Sequence, residues 1–331
     1  MARSIVNQGL YLQRETTPGT PATDAMRRYL SIRGRIGWDV NKEYFQAAGY
    51  KLTTGENVLT EMGSADLEVT QDYNGMLPML TGAFGAPVTT ALTATPTPAY
   101  EHVFTLDARQ ADTLVTYTAI WGDPTLALQA TAFAFNGFGF EVGRTGLSAS
   151  TSAILRAPDT SGAVPTTGVT EVPFVPVRAS TYDVFMDSSW ANLGTTKLLA
   201  LYRANVDFPD KLEPDWIVNS ALPSYSELME REGYEPTLGM TVGFDATAVG
   251  MIDDALQGGM KFIRIAANGP DINGTDNYGF EFDCAAILNP GGVNSAPDSA
   301  AVVVEFDGRV QVDGESGQAA AVRLVNTVAS V

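Results

Sequence analysis

The sequence is short of the residue types that carry chemistry. Its 331 residues include one cysteine, Cys284, and one histidine, His102. A lone cysteine excludes an intrachain disulfide, so stability must come from packing or assembly. One histidine and one cysteine leave no zinc site built from those residues. A catalytic pair would need His102 beside a Ser, a Thr or Cys284, and the sequence does not indicate one. Glycine-rich phosphate loops ending in Lys-Ser or Lys-Thr are missing. No stretch approaches the roughly 20 apolar residues of a membrane helix, and residues 1–8 carry no signal-peptide run. The expectation is a soluble protein made in a cytoplasm, with no enzyme activity, no cofactor and no metal.

Basic residues are also scarce. Twenty Lys and Arg stand against 38 Asp and Glu, a net charge of −18. Nothing resembles the basic patch with which proteins displace counterions from DNA. The acidic excess is either a well-solvated surface or a wall that nucleic acid passes without sticking, and charge alone does not choose. Asp253-Asp254 and the run Asp271-Ile272-Asn273-Gly274-Thr275-Asp276 lack the spaced ligands and distal Glu of a calcium loop, so the run is expected to be a hairpin turn. A carbohydrate-cleaving β-sandwich would need two carboxylates at a set separation, and the acids are too scattered to nominate a pair.

What the sequence has in quantity is period-2 alternation. Met240, Val242 and Phe244 alternate with polar or small residues, as do Phe280, Phe282 and Cys284. Phe306, Val310 and Val312 do the same, with Gly308 in step on the apolar side. This is the pattern of antiparallel strands with one dry and one wet face, punctuated by 32 glycines and 18 prolines. Two short helices are predicted. One follows Asp72-Tyr73-Asn74 with a stripe of Met76, Leu77, Leu80 and Phe84. The other follows Asp245-Ala246-Thr247 with Val249, Ile252 and Leu256, each Asp serving as a cap. Cys284 is expected in the core as a small hydrophobe.

The order of elements repeats. Gly9-Leu10-Tyr11-Leu12 resembles Asp183-Val184-Phe185-Met186, and residues 29–40 resemble 199–208. Residues 101–106 match 260–266, 133–142 match 278–284, and 147–155 match 301–310, at an offset of about 170 residues that drifts where loops differ. A duplication divides the chain into a first copy at 1–157 with an N-terminal arm (1–23), a Pro-rich connection at 158–177 and a second copy at 178–331. Asn136-Gly137, within Phe133-Ala134-Phe135-Asn136-Gly137-Phe138-Gly139-Phe140, has hairpin-turn chemistry. A glycine bulge inside one bent strand is the alternative, favoured because Tyr278-Gly279-Phe280 occupies the same place in the second copy.

The order strand, long loop, strand, short helix, strand, bent glycine-containing strand, strand resembles the tail tube proteins of siphophages, including the lambda-type major tail protein. Residues 236–310 carry the resemblance best, and 64–155 repeat it. The opening Gly9-Leu10-Tyr11-Leu12-Gln13-Arg14-Glu15-Thr16-Thr17-Pro18-Gly19-Thr20 is similar to that of many such proteins. The resemblance implies an all-β fold with short flanking helices: a duplicated tail-tube-type β-sandwich that forms an inner β-barrel on oligomerisation. It implies a virion protein, assembled in the host bacterial cytoplasm, whose rings stack into a negatively charged conduit for genomic DNA. DNA would pass without specific binding, and no membrane is involved. Six domains form a ring in that family, so two copies per chain imply three chains with pseudo-sixfold symmetry; six chains is the alternative. Tail terminator, tape measure and tail-tip proteins are the further partners it implies. The long loops at 41–62, with Tyr44, Phe45, Tyr50 and Lys51, and at 210–235, with Trp216, Tyr225 and Tyr234, are the expected ring-to-ring contacts. Packing over their own sandwich is the other reading for these aromatics. A capsid decoration protein or an adhesin-type sandwich would share the alternation and acidity.

Overall fold

Alternation becomes strand faces in the computed structural model, which describes residues 9–23, 25–93, 97–106, 109–123, 125–144, 147–160, 162–165, 167–217, 224–295 and 301–331. Phe280, Phe282 and Cys284 are fully buried, while Glu281 and Asp283 between them keep contact with water. Met240, Val242, Phe306 and Val310 face the same interior. Phe244 departs from its pattern and is 49% exposed. It lies just past its strand, where the chain turns toward a helix and alternation no longer applies. Val312, also past a strand end, is exposed for the same reason.

The protein is all-β with two helices. The first half holds β1 (Gly9–Arg14), β2 (Arg27–Tyr29), β3 (Ile32–Phe45), β4 (Gly55–Val69), helix α1 (Met76–Phe84), β5 (Val88–Thr93), β6 (Ala99–Thr105), β7 (Tyr117–Asp123), β8 (Leu126–Gly143) and β9 (Leu147–Leu155). The short β10 (Thr170–Val172) precedes β11 (Tyr182–Asp187), β12 (Leu201–Phe208), β13 (Leu212–Asp215) and β14 (Glu227–Glu230). The chain ends with β15 (Thr237–Gly243), helix α2 (Ala246–Leu256), β16 (Met260–Asp271), β17 (Asn277–Ser295), β18 (Val302–Val310) and β19 (Ala320–Asn326). Among the described residues, seventeen strands belong to one large sheet, and β13 with β14 form a separate pair.

Within that sheet one antiparallel order occurs twice. In the first half it runs β1-β7-β8-β9-β4-β3. In the second it runs β11-β16-β17-β18-β15-β12. Leu12 lies opposite Ala119 and Met186 opposite Ile263, so the segments 9–12 and 183–186 hold equivalent positions. The partner of β16 in this comparison is β7. Residues 101–106 instead form most of β6, which pairs with β5 and with β19. Short alternating strands look alike in sequence, and only the ladder tells neighbours apart.

The two halves fuse because β12 uses both edges. One pairs with β15; the other pairs with β8 from Arg203 opposite Gly143 to Phe208 opposite Phe138. The junction centres the core on an aromatic cluster from both halves. Phe84 and Phe208 stand 4.9 Å apart, Phe140 is 5.5 Å from both Phe280 and Phe282, and Phe208 is 5.8 Å from Phe282. Each such contact adds about 0.5–1.5 kcal/mol beyond simple burial.

Strand β8 is continuous and bent through Asn136-Gly137, with a register shift between Asn136 and Gly139 and Gly137 at φ +87°. There is no hairpin turn there. Gly279, however, pairs in step with Val325 of β19, and on its other side the extra residue lies in β16, where the register shifts between Asn268 and Asp271. The corresponding irregularity in β17 falls between Pro290 and Val293, one strand-length further on.

The helices also differ from expectation. α1 is buried on every side, and its turn is closed by Asp72 accepting the N–H groups of Asn74 (3.3 Å) and Gly75 (3.0 Å) rather than by an end cap. α2 is capped by Asp245, which accepts from the Ala248 N–H at 3.0 Å. Its buried residues are Ala248 and Met251, while Val249 and Leu256 face water. The small Ala248 lets the backbone approach the sheet, which rotates the larger Val249 outward. Gly82 does the same for α1: a Cβ there would meet the Phe135 backbone at 2.8 Å, whereas one at Gly250 on α2 would meet nothing within 4 Å. Gly82→Ala is therefore expected to destabilise the fold by about 1–3 kcal/mol through overpacking. Gly250→Ala should stabilise it by about 0.5–1 kcal/mol; urea melts of the two variants check both signs.

Candidate functional site

The two residues best suited to chemistry, His102 and Cys284, both lie inside the fold. His102 is fully buried. Its Nε2–H donates to the Val328 carbonyl at 2.9 Å, and its Nδ1 accepts from the Thr89 hydroxyl at 2.8 Å. Thr89, at an exposed strand position, is thus the hydroxyl that stands beside the ring, and Asn326 Oδ1 lies 3.2 Å from Nε2 on the other side. Cys284 is buried, and desolvation pushes its thiol far above its ordinary range. Residues 271–276 form a tight turn in which Asp271 accepts the Gly274 N–H at 2.8 Å and Ile272 N–H bonds the Asp276 carbonyl. Among the described residues no three His, Cys, Asp or Glu side chains converge on a metal position, and no helix is long and apolar enough to cross a membrane. The buried Lys211 pairs with Asp112 at 2.6 Å and donates to the Ala83 carbonyl at the end of α1 at 3.0 Å, which makes it a tie between halves.

The distinctive surface feature is a projecting arm. Residues 41–62 are not a loop: β3 and β4 extend as a paired ribbon out to Phe45 opposite Gly55. Every residue from 38 to 59 is exposed. Trp38, Val40, Tyr44, Phe45, Leu52 and Leu59 all show large apolar surface to water, and Tyr50 is 64% exposed. Lys51 lies exposed at the tip. Lys42 bridges to Glu56 across the ribbon at 3.0 Å. Trp38, Val40 and Tyr44 continue the face that Ile36 buries at the root, since alternate residues share a side. A two-stranded ribbon wet on both faces is marginal by itself, and this one carries its large apolar side chains on the outside.

The second segment, 210–235, behaves differently. Residues 218–223 lie outside the described residues. Tyr225 is 2% exposed, donates from its hydroxyl to the Ala132 carbonyl at 3.2 Å, and meets Trp216 edge-on at 6.1 Å. Tyr234 packs on Phe208 at 6.2 Å. Burial raises both phenols well above their ordinary range. These two tyrosines fold back over the chain's own core, leaving Trp216 half-exposed at the rim. The apolar strand partners Phe208 and Ala132 beside them explain why; polar loop sequence around an aromatic does not reveal it.

A shallow cleft of ≈ 680 Å³ crosses the wet face where the halves meet, lined by Arg33, Arg35, Asp66, Glu68, Asp207 and Asp210 among others. Desolvation, then the neighbouring Asp210, raises the Asp207 carboxyl above its usual range. The lining mixes unlike charges with the hydroxyls of Ser150, Thr151 and Ser152, and the Ser152 hydroxyl donates to Asp210 at 2.6 Å. No protein-family model matches the chain, and no curated protein matches it.

Burial is the main cause that lowers the His102 pKa from 6.5. The folded state then holds fewer protons than the unfolded one, so stability present above the unfolded value is lost as pH falls through the folded value. As the chain's sole histidine, its NMR ring signal should titrate below about 6.5. Melting temperature should drop as pH falls below about 6.5, with a shallower slope in His102→Gln.

Proposed function

We propose that this chain is a structural subunit of a long-tailed phage's tail tube, a duplicated tail-tube-type protein whose rings stack around passing DNA. One observation carries the reading: the same six-strand antiparallel order occurs twice, and the two occurrences are already joined edge to edge through β12 and β8. A chain that supplies two adjacent segments of a ring needs three copies to close six. The ring of three is therefore favoured over a ring of six chains.

The wet face of strands β3, β4, β9, β8, β12, β15, β18 and β17 is assigned to the lumen. It carries Asp66, Glu68, Glu141, Asp207, Glu305 and Asp307 against Arg33, Arg35, Arg203 and Arg309, and Arg203 is paired with Glu141. Excess carboxylate on such a wall keeps DNA phosphates from sticking. The arm at 38–59 is assigned to contact between rings, where a neighbour covers Tyr44, Phe45 and Tyr50. Tail terminator, tape measure and tail-tip proteins are the partners this role requires.

Negative-stain electron microscopy of concentrated protein is expected to show hollow tubes of threefold rings. Deleting residues 45–51 should leave a folded chain, with its melting temperature within about 2 °C of the parent, that no longer forms tubes. Tubes unchanged by the deletion would remove the arm from this role. Persistent monomers in the parent, even with tail-tip components as nuclei, would overturn the tube reading.

A further inference from the structure

We infer that strand β3 of one chain adds to strand β17 of a second copy of this chain, antiparallel, with Ile36 opposite Val293. The inference deepens the ring reading, but it rests on pairing found inside the chain.

The equivalence of the two strand orders gives the register. Ala65, Leu67 and Val69 of β4 occupy the core-facing positions that Leu238, Met240 and Val242 occupy in β15. Ile36 lies opposite Ala65, and Val206 lies opposite Leu238. Val69 leads through Ala149 to Phe140 of β8, and Val242 leads through Val304 to Val293 of β17. Ile36 is thus the counterpart of Val206, and Val293 of Phe140. Inside the chain Val206 is paired with Phe140. The corresponding contact, Ile36 with Val293, is unmade.

Both edges that would form it are open. The strand registered with β3 is β4, on one side. β16 leaves β17 at Ile287, and from 288 to 295 the only partner of β17 registered among the described residues is β18, on its other side. An open edge presents unpaired N–H and C=O groups, which invite another strand. The apolar side chains at these edges are exposed in the single chain: Val293 by 55% and Trp38 by 48%. In the inferred register Trp38 falls opposite Gly291, where an aromatic ring covers a bare strand backbone. Gly34 falls opposite Ser295 and Gly37 opposite Gly292, so no bulky pair collides. Each chain offers one edge of each kind. The contact is therefore heterologous, and repeating it closes a ring or extends a filament.

Cysteines placed directly opposite in an antiparallel pair stand about 4.5–5.5 Å apart at Cα, within disulfide reach. Arg35 and Asn294 are such a pair in this register, both exposed, and the native Cys284 is buried. The double variant Arg35→Cys/Asn294→Cys, oxidised, is expected to give a reducible ladder ending at a closed three-chain species. Mixing the two single variants should give dimers only, and each single variant alone none. Dimers from Arg35→Cys alone would mean like edges pair, and assembly without a ladder would mean other edges pair; either overturns the inference. Val293→Glu places a carboxylate in the contact while altering only an exposed position of the chain. It should keep the parent's melting curve and weaken association by at least about tenfold; wild-type association would overturn the inference. Tubes that form without the cross-link would remove this pairing and leave the tube reading. Cross-linked closed rings that never stack would do the reverse.

Discussion

The pairing of β12 with β8 is the contact on which the rest depends. It is six residues long, from Arg203 to Phe208, yet it turns two six-strand units into one sheet. Its dry side places Ala204, Val206 and Phe208 against Phe138, Phe140 and Val142, all buried. The aromatic cluster that includes Phe84 and Phe282 is assembled there from both halves. A second seam, β6 with β19, runs from Tyr100 opposite Asn326 to Thr105 opposite Ala321. The inserted β5–β6 hairpin thereby braces the first half against the C-terminal strand. With no disulfide available, these two seams and the core between them hold the halves together.

The same junction determines what the surface lacks. A strand order that repeats within a chain can satisfy one internal seam and must leave its counterpart open at the outer ends. Most soluble proteins blunt such edges with charge, proline or cover. Here Pro290 marks the bulge, but the stretch beyond it is uncharged and carries Val293. The arm adds a second unsatisfied surface, apolar on a ribbon too thin to bury anything itself. Both features make sense in a molecule whose folded state is completed by copies of itself, and both are costly in a monomer. On the proposed reading, the acidic excess also keeps the chain dispersed before it assembles.

Much of the local structure was legible in the sequence. Alternation places Phe280, Phe282, Cys284 and Phe306 on dry faces, and Asp245 ahead of an apolar stripe marks the start of α2, which it caps. The all-β class followed from the same pattern. What escaped was everything that depends on non-local pairing. Period 2 tells which residues share a face; it does not tell which strand lies alongside. That is why alternation alone matches residues 101–106 to β16 and sets Gly279 beside Gly137, whereas the ladders do neither. The segment 41–62 could have been recognised as a hairpin, because alternation on both sides converges on a turn containing Gly49. Tyr225 gave no such signal: an aromatic in a polar loop looks the same whether it points out, like Tyr50, or in.

The central claim is that one chain supplies two consecutive segments of a closed ring. Native mass spectrometry of the smallest closed assembly tests it most directly. The account predicts three chains, with no even-numbered closed species. A closed ring of six chains, or a dimer with a twofold axis, would contradict it.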